Sequence, residues 1–196
     1  MMHYRESIRL PGYDYTQRGA YFVTVCAYQR ERLFGDIRNG VMGLNEVGCI
    51  VADIWHGLPQ RFPMIELDEF VVMPNHIHGI IWIADIGASV DIIVGAGSTR
   101  PTPKGCPIPM DRPAQGAATR GAATAPLRRD SLGEMMAYWK YVSAKNIHLI
   151  NPLFGPVWQR NYYERIIRNE RELYATRQYI RNNPAQWGLD EENVSQ

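Results

Sequence analysis

The order of hydrophobic and polar positions predicts four β-strands. Residues 20–27 are β-branched and aromatic with no chain breaker among them, and 65–73 and 76–83 are predicted strands as well. Pro74-Asn75 separates the last two, and because both residue types favour turns, we expect these segments to pair as an antiparallel hairpin. A fourth strand is predicted within 157–168, which has a similar composition.

Helical spacing of apolar residues predicts two helices between these strands. Residues 44–58 place their apolar side chains on one helical stripe, and Pro59 follows them. A second helix is expected to begin after a Ser131 or Asp130 cap and to run to about His148.

A third helix is predicted near the end of the chain. Asn169 is followed three residues later by Glu172, which is the spacing of a capping box. The helix is expected to end near Asn182, because Pro184 disfavours helical geometry in the residue before it.

The resulting order is strand, helix, strand, strand, helix, strand, helix. Its first six elements match the split βαβ arrangement of ferredoxin-like α+β folds, with an antiparallel sheet. Both crossover helices then cover one face of the sheet. We expect the C-terminal helix to pack on the other face.

Between about 84 and 129 the composition changes. Gly, Ala, Pro, Ser and Thr dominate this stretch, and almost no aromatic residue is available to anchor a core. We interpret it as a disordered, low-complexity insertion within a single domain that spans residues 1–196.

Bulk composition is that of a globular cytoplasmic protein. The chain has 196 residues, of which 45% are hydrophobic, enough for a buried core. No run of about 18 uncharged apolar residues is present, so we expect no membrane partner. The first ten residues carry charges where a signal peptide would be apolar.

Charge is distributed unevenly along the chain. The net charge is only +1, yet residues 127–182 contain ten Lys and Arg against five Asp and Glu, interleaved with Tyr and Trp. This mixture suits phosphates and unstacked bases. Solvated arginines over an aromatic core explain the same composition equally well.

His76 and His78 form the most informative pair of residues. Two positions apart on a strand, their side chains point to the same face and can bind one cation. The alternative for such a pair is two half-buried, hydrogen-bonded side chains with no metal.

Tyr179 and Asn183 lie one turn apart at the end of the last predicted helix, so both can face the histidines. A phenol has a pKa of about 10, and a nearby divalent cation favours its nucleophilic phenolate. Two imidazoles and an amide oxygen leave open coordination positions, which suits Mg²⁺ or Mn²⁺. Taken alone, Tyr179 is an aromatic packed at a helix end and Asn183-Pro184 is a helix stop.

Three motifs together resemble the single-tyrosine HUH transposases, and in particular the REP-associated tyrosine transposases. The motifs occur in the family's order and are Val72-Met73-Pro74-Asn75-His76-Ile77-His78, Gly155-Pro156-Val157-Trp158-Gln159-Arg160-Asn161-Tyr162-Tyr163-Glu164 and Tyr179-Ile180-Arg181-Asn182-Asn183-Pro184. Many relatives have glutamine where this chain has Asn183, and the long insertion after Ile83 is a second departure.

The resemblance implies metal-dependent nicking and rejoining of single-stranded or hairpin DNA, in a nucleoid-associated protein. Tyr179 would become linked to a 5′ phosphate, and His76, His78 and Asn183 would bind Mg²⁺ or Mn²⁺. A phosphoesterase that uses water and a catalytically silent repeat-binding protein are the alternatives. Self-association remains open, with the tyrosine acting within one chain or on a second copy.

Residue type further suggests contacts to DNA. The candidates are Lys145, Arg160, Tyr162, Arg165 and Arg168. Arg165 and Arg168 could equally pair with Glu164 and Glu170 on a solvated surface.

Overall fold

The computed structural model describes residues 12–84 and 130–189. The strands in these ranges are β1 (Gly19–Cys26), β2 (Gly35–Arg38), β3 (Val41–Leu44), β4 (Ile65–Val72), β5 (His76–Ile83) and β6 (Tyr163–Ile167). The helices are α1 (Glu46–His56), α2 (Leu58–Arg61), α3 (Leu132–Ile150) and α4 (Glu170–Asn182). Two 3-10 segments, Tyr28–Arg30 and Asn183–Leu189, complete the regular structure.

The main sheet has four strands in the order β4-β5-β1-β6, and all neighbours are antiparallel. Helices α1 and α2 connect β1 to β4, and α3 connects β5 to β6. This topology confirms the predicted ferredoxin-like α+β fold.

The two faces of the sheet have different partners. On one face, alternate residues of β1 such as Tyr21 and Val23 pack with Trp55 of α1 and Trp139 of α3 in the larger core cluster. On the other face, a smaller cluster joins the sheet to Leu173 and Ile180 of α4. The prediction of two crossover helices on one face and the tyrosine-bearing helix on the other is confirmed.

The helix caps follow the sequence. Ser131 and Glu134 form a reciprocal capping box at the start of α3. The Asn169 side chain accepts a 2.9 Å hydrogen bond from the backbone N–H of Glu172 at the start of α4. Both caps fix where a helix begins, because they satisfy N–H groups that have no partner inside the helix.

The β2–β3 hairpin is a difference from the predicted order. Its strands have only four residues each and alternate between exposed and half-buried positions, so they carry little hydrophobic signal. Asn39 and Gly40, at φ +52° and +72°, form the turn between them. An Asn-Gly pair is a strong hairpin signal, and here it indicates the hairpin more clearly than the apolar pattern of the two strands does.

Two predicted elements have different bounds. The helix expected over 44–58 ends at His56, and Pro59 instead lies in the first turn of α2, where its missing N–H costs nothing. The strand expected over 157–168 is limited to β6, while Trp158 pairs with Ala27 in an isolated antiparallel bridge and packs its ring between Phe34 and Trp139.

The insertion predicted at about 84–129 lies outside the described residues, apart from its first position. It stays a prediction, as does the single-domain organisation. None of the helices in the described ranges has the length and apolar character needed to span a membrane.

Candidate active site

His76 and His78 lie side by side at the start of β5. The strand alternation directs both rings to the face covered by α4, and their Nε2 atoms are 2.9 Å apart. Both side chains are almost completely buried. The sheet therefore supplies a rigid platform in which two ring nitrogens face each other.

The second nitrogen of each ring has its own polar partner. His76 Nδ1 lies 2.8 Å from Asn75 Oδ1, and His78 Nδ1 lies 2.7 Å from Thr24 Oγ1 on β1. Thr24 is the direct cross-strand neighbour of His78, so the sheet register determines this contact. Each Nδ1 is thus held while the Nε2 atoms remain directed into the site.

Burial determines the charge state of His78. The pKa of His78 is lowered well below 6.5, first because burial penalises the charged ring and second because His76 lies beside it. Phe22 stacks on the His78 ring with centroids 5.4 Å apart, which keeps this side of the site apolar. At neutral pH His78 is therefore uncharged and has a lone pair for a proton or a cation.

Tyr179 on α4 reaches the same histidine. Its hydroxyl oxygen lies 3.1 Å from His78 Nε2, within one chain. The Tyr179 ring packs edge-on against both His78 and Phe22, yet 45% of the residue is exposed. The phenol is thus held against the histidines while one side stays open to a large substrate.

The rotation of α4 explains how Tyr179 arrives there. Leu173, Thr176 and Ile180 form its buried face on the sheet, and Tyr179 projects from one flank of that face. On the opposite flank, Arg177 makes a two-pronged ion pair with Asp68 of β4, with a shortest distance of 2.6 Å.

A β-bulge in β4 supports this contact. The register of β4 against β5 shifts between Leu67 and Phe70, and the two intervening residues are both acidic. Asp68 bonds Arg177 and Glu69 bonds Arg181, so both acidic side chains reach α4. The bulge therefore directs two consecutive carboxylates to the same helix flank.

The segment after α4 closes over the site. Asn183 caps the helix and is 3% exposed, and its Oδ1 atom is buried without a hydrogen-bond partner among the described residues. Trp187, four residues later, lies with its ring centroid 6.0 Å from that of His76. The 3-10 segment thus brings an aromatic ring to His76, and the buried amide of Asn183 lies one helical turn after Tyr179.

These residues fit a divalent cation. Among residues 12–84 and 130–189 no group of three or more His, Cys, Asp and Glu side chains is placed to hold a metal. The candidate donors here are of other types, the imidazoles of His76 and His78 and the Asn183 oxygen that has no hydrogen-bond partner among the described residues. Nitrogen ligands at right angles, each about 2.1 Å from one ion, lie about 3 Å apart, close to the observed separation of the two Nε2 atoms.

The residues suggested for DNA contact are dispersed. Lys145 and Arg160 are exposed, but Lys145 lies on α3, which covers the opposite face of the sheet. Tyr162 is half-buried and packs against the larger core cluster, so it has little free surface. Arg165 and Arg168 are exposed on and just after β6.

Arg165 and Arg168 do share one feature, a cavity of about 310 Å³ that Tyr15 and Tyr163 also line. Tyr163 is the cross-strand neighbour of Thr24, which in turn neighbours His78. The cavity therefore begins two strands from the histidines on the same sheet.

Some residues that build the site were missed from the sequence. Thr24 lies within the apolar run of β1, and a hydroxyl at such a position signals a polar partner. That partner is His78. The sequence pattern indicates only a turn at Asn75, whereas its side chain also contacts the ring of His76. The Asp68–Arg177 pair joins positions 109 residues apart, and no local pattern reveals such a contact.

Comparison with known proteins gives a relative and a fold. No family model matches the chain. The chain is 36% identical over 190 residues to a Haemophilus influenzae protein described only as uncharacterized. The aligned region covers 97% of this chain and 93% of the relative. The solved structure of a REP-associated tyrosine transposase bound to a REP hairpin superposes with a TM-score of 0.54, at 17% identity, over 97% of this chain and 77% of that one.

Identity at this level over nearly the whole of both chains establishes common descent, whereas 17% identity establishes the fold alone. The protein therefore belongs to the same family as the Haemophilus influenzae protein, and its fold is that of the REP-associated tyrosine transposase.

Proposed function

We propose that the protein is a metal-dependent endonuclease and strand transferase that acts on single-stranded or hairpin DNA, with Tyr179 as its nucleophile. The observation that carries this proposal is the 3.1 Å contact between the Tyr179 hydroxyl and His78 Nε2. A purely structural tyrosine at a helix end has no reason to direct its hydroxyl to a buried histidine pair while remaining 45% exposed.

The chemistry is an exchange of phosphodiester bonds. The Tyr179 oxygen attacks a backbone phosphorus and forms a new P–O bond as the bond from phosphorus to the 3′ oxygen breaks. The phenol proton leaves the tyrosine, and the departing 3′ oxygen takes up a proton to become a free hydroxyl. The product is a 5′-phosphotyrosine, and attack on it by a 3′ hydroxyl reverses the reaction and joins two strands.

The chain's own residues have defined roles in this step. In the metal-free protein His78 is neutral and hydrogen-bonds the phenol through Nε2, so it orients the tyrosine. Phe22 and Trp187 restrict water around the histidines by packing on their rings.

His76, His78 and Asn183 would hold the divalent cation, either Mg²⁺ or Mn²⁺. When bound, the cation would neutralise charge on the phosphate oxygens and favour the phenolate form of the tyrosine.

DNA binding is proposed along the exposed side of Tyr179. The structure with the shared fold holds a REP hairpin, which supports hairpin DNA as the partner of this chain as well. Of the suggested contact residues, Arg165 and Arg168 have the best position, because their cavity also offers Tyr163 as a surface on which a base can stack. Lys145, Arg160 and Tyr162 remain proposals with less support.

A covalent trapping experiment tests the nucleophile. The protein is incubated with Mn²⁺ and single-stranded hairpin DNA taken from the sequence flanking its gene, then denatured and resolved by electrophoresis. We expect a DNA adduct that survives denaturation and that disappears in Tyr179→Phe, while cleavage and adduct are kept in Tyr174→Phe, an exposed tyrosine on the same helix.

Two results would contradict this proposal. Cleavage by the Tyr179→Phe variant without an adduct would identify a phosphoesterase that uses water. Binding of the hairpin with no metal-dependent cleavage by the unaltered protein would identify a silent repeat-binding protein.

A further inference from the structure

The turn that precedes His76 is held by a side chain that contacts two different segments. Asn75 is 1% exposed. Its Nδ2 atom donates to the carbonyl oxygen of Arg30 at 3.2 Å, and its Oδ1 atom lies 2.8 Å from His76 Nδ1. The amide thus bridges the 3-10 segment after β1 and the first histidine of the site.

This bridge determines which nitrogen of His76 carries the hydrogen. A backbone carbonyl only accepts hydrogen bonds, so the NH₂ group of Asn75 must face Arg30 and the amide oxygen must face the ring. An amide oxygen also only accepts, so His76 Nδ1 must be the donor. In a neutral ring this is the one N–H, so His76 Nε2 then carries a lone pair directed at His78 Nε2, 2.9 Å away.

His78 is held differently. Its Nδ1 partner is the hydroxyl of Thr24, which can either donate or accept a hydrogen bond. Thr24 therefore positions the His78 ring without selecting its tautomer. Of the two Nδ1 partners, only Asn75 selects the tautomer of the ring that it contacts.

Backbone strain is present at the anchor of this bridge. Gln29 and Arg30 adopt left-handed conformations, with φ of +53° and +58°. Such conformations are strained for residues with a side chain, and they persist where surrounding contacts require them.

The surrounding contacts come from the same turn. Ala27 N–H donates to the Asn75 carbonyl at 2.8 Å, and Phe34 N–H donates to the Pro74 carbonyl at 3.0 Å. Together with the Arg30 carbonyl, residues 27–34 therefore hold the Pro74-Asn75 turn at three points.

We propose that Asn75 is a positioning residue that fixes His76 in the tautomer with an unprotonated Nε2, using the Arg30 carbonyl as its anchor. The link to cation binding rests on the proposed function, whereas the tautomer is a property of the metal-free protein. Partners of this kind contribute about tenfold to a hundredfold to the affinity of a site for its metal.

The test compares two substitutions of Asn75 by two measurements. Nitrogen-15 NMR of the imidazole rings in the metal-free protein reports which nitrogen of His76 carries hydrogen. Calorimetric titration with Mn²⁺ alone reports the Kd.

Asn75→Ala removes the acceptor, so we expect loss of the single Nδ1–H tautomer and a Kd for Mn²⁺ raised about tenfold to a hundredfold. Asn75→Asp keeps an acceptor facing Nδ1 but loses the bond to Arg30. We therefore expect it to retain the tautomer and most of the Mn²⁺ affinity at reduced stability.

Two control variants separate positioning from general destabilisation. Asn45→Ala removes another bridging asparagine, which donates to the Leu33 carbonyl at 2.9 Å and caps α1 without touching a histidine. Arg30→Gly removes a side chain but keeps the carbonyl that Asn75 uses. We expect both controls to leave the His76 tautomer and the Kd for Mn²⁺ unchanged.

Retention of the Nδ1–H tautomer in Asn75→Ala would overturn the inference, whatever the affinity for Mn²⁺. Loss of the tautomer in folded Asn75→Asp would also overturn it. Absence of Mn²⁺ binding in the unaltered protein, with the tautomer behaving as expected, would instead contradict the metal-dependent part of the proposed function.

Discussion

At the scale of single residues, each polar group at the site has a chemical state that its neighbours determine. Asn75 fixes a hydrogen on His76, burial keeps His78 uncharged, and His78 holds the hydroxyl of Tyr179. The same three side chains on an exposed strand would exchange hydrogens freely with water. Burial on β5 is therefore what converts common residues into a defined site.

Loss of either histidine should separate cleavage from binding. We expect His76→Ala and His78→Ala to abolish metal-dependent DNA cleavage while the affinity for hairpin DNA stays within a few fold, because phosphate contacts supply most of that affinity. Cleavage assays and filter binding at one fixed salt concentration provide the two readouts. The control is His148→Ala. His148 lies on α3 and bonds the Phe154 carbonyl oxygen, so the variant should keep both DNA cleavage and DNA binding.

Asn183 should show a trade-off between stability and metal binding. Within 12–84 and 130–189 its buried Oδ1 atom has no hydrogen-bond partner, so Asn183→Leu, of similar shape, removes a desolvated acceptor and should leave the metal-free melting temperature unchanged or higher. Mn²⁺ at a hundred times its Kd should stabilise the unaltered protein by about 2.7 kcal/mol, and the variant by clearly less. Equal stabilisation of both proteins, measured by thermal unfolding, would exclude Asn183 as a ligand.

At the scale of elements, α4 is held by two kinds of contact with separate consequences. Its apolar face fixes the distance from the sheet, as Leu173 and Ile180 show by their burial. Its charged flank, through Arg177 and Arg181, determines its rotation about that face. The position of Tyr179 depends on both, because a helix free to rotate would move the phenol away from His78.

Asp68→Asn should therefore weaken both stability and catalysis. Asp68 is mostly buried, and its loss leaves Arg177 without a charged partner, so we expect a stability loss of about 1–2 kcal/mol and a fall in kcat with little change in KM. Glu69→Gln is the matched comparison, since the Glu69–Arg181 pair is more exposed and should have the smaller effect.

The difference in stability between the protein and Asp68→Asn should depend on pH in a definite direction. Burial alone raises the pKa of Asp68, but hydrogen bonds from Arg177 and Trp82 outweigh it and hold the pKa below 3.8. A carboxylate with a lowered pKa stabilises the fold above its unfolded value and loses that contribution as the pH falls through the folded value. Unfolding at several pH values should show the gap between the protein and Asp68→Asn constant above about pH 5 and closing below pH 4.

At the scale of the whole molecule, the sheet separates stability from chemistry. One face is covered by α1 and α3 over a large apolar core, and the other carries the histidines beneath α4. All the proposed catalytic groups lie in one chain, with the tyrosine contacting its own histidine. A second copy is not needed to complete the site.

This arrangement predicts the result of mixing inactive variants. When Tyr179→Phe and His78→Ala are co-expressed and purified together, we expect no recovery of the covalent DNA adduct, because no chain carries both groups. Adduct formed on the His78→Ala chain, identified by a size tag, would show instead that the tyrosine of one copy acts at the histidines of another.

Local physics explains why much of the fold was predictable. The apolar runs of β1 and β5, the Ser131 and Asn169 caps and the helical stripe of α1 all act over a few residues, and each lies close to where the sequence predicts it. The motifs around the histidines and Tyr179 likewise indicated which residue types would meet. The Asn-Gly turn of the β2–β3 hairpin was also a local signal, one that the weak apolar pattern of its strands obscured.

The sequence by itself determined the four strands of the main sheet, the three longer helices and the identity of the histidines, the tyrosine and the amide, since propensity, capping and periodicity are short-range. Only the tertiary structure decided how these groups meet: which strand residue supports His78, which carbonyl orients Asn75, and which carboxylate sets the rotation of α4. These contacts join residues 45 to 109 positions apart. They depend on sheet register and helix rotation, which exist only once the chain has packed.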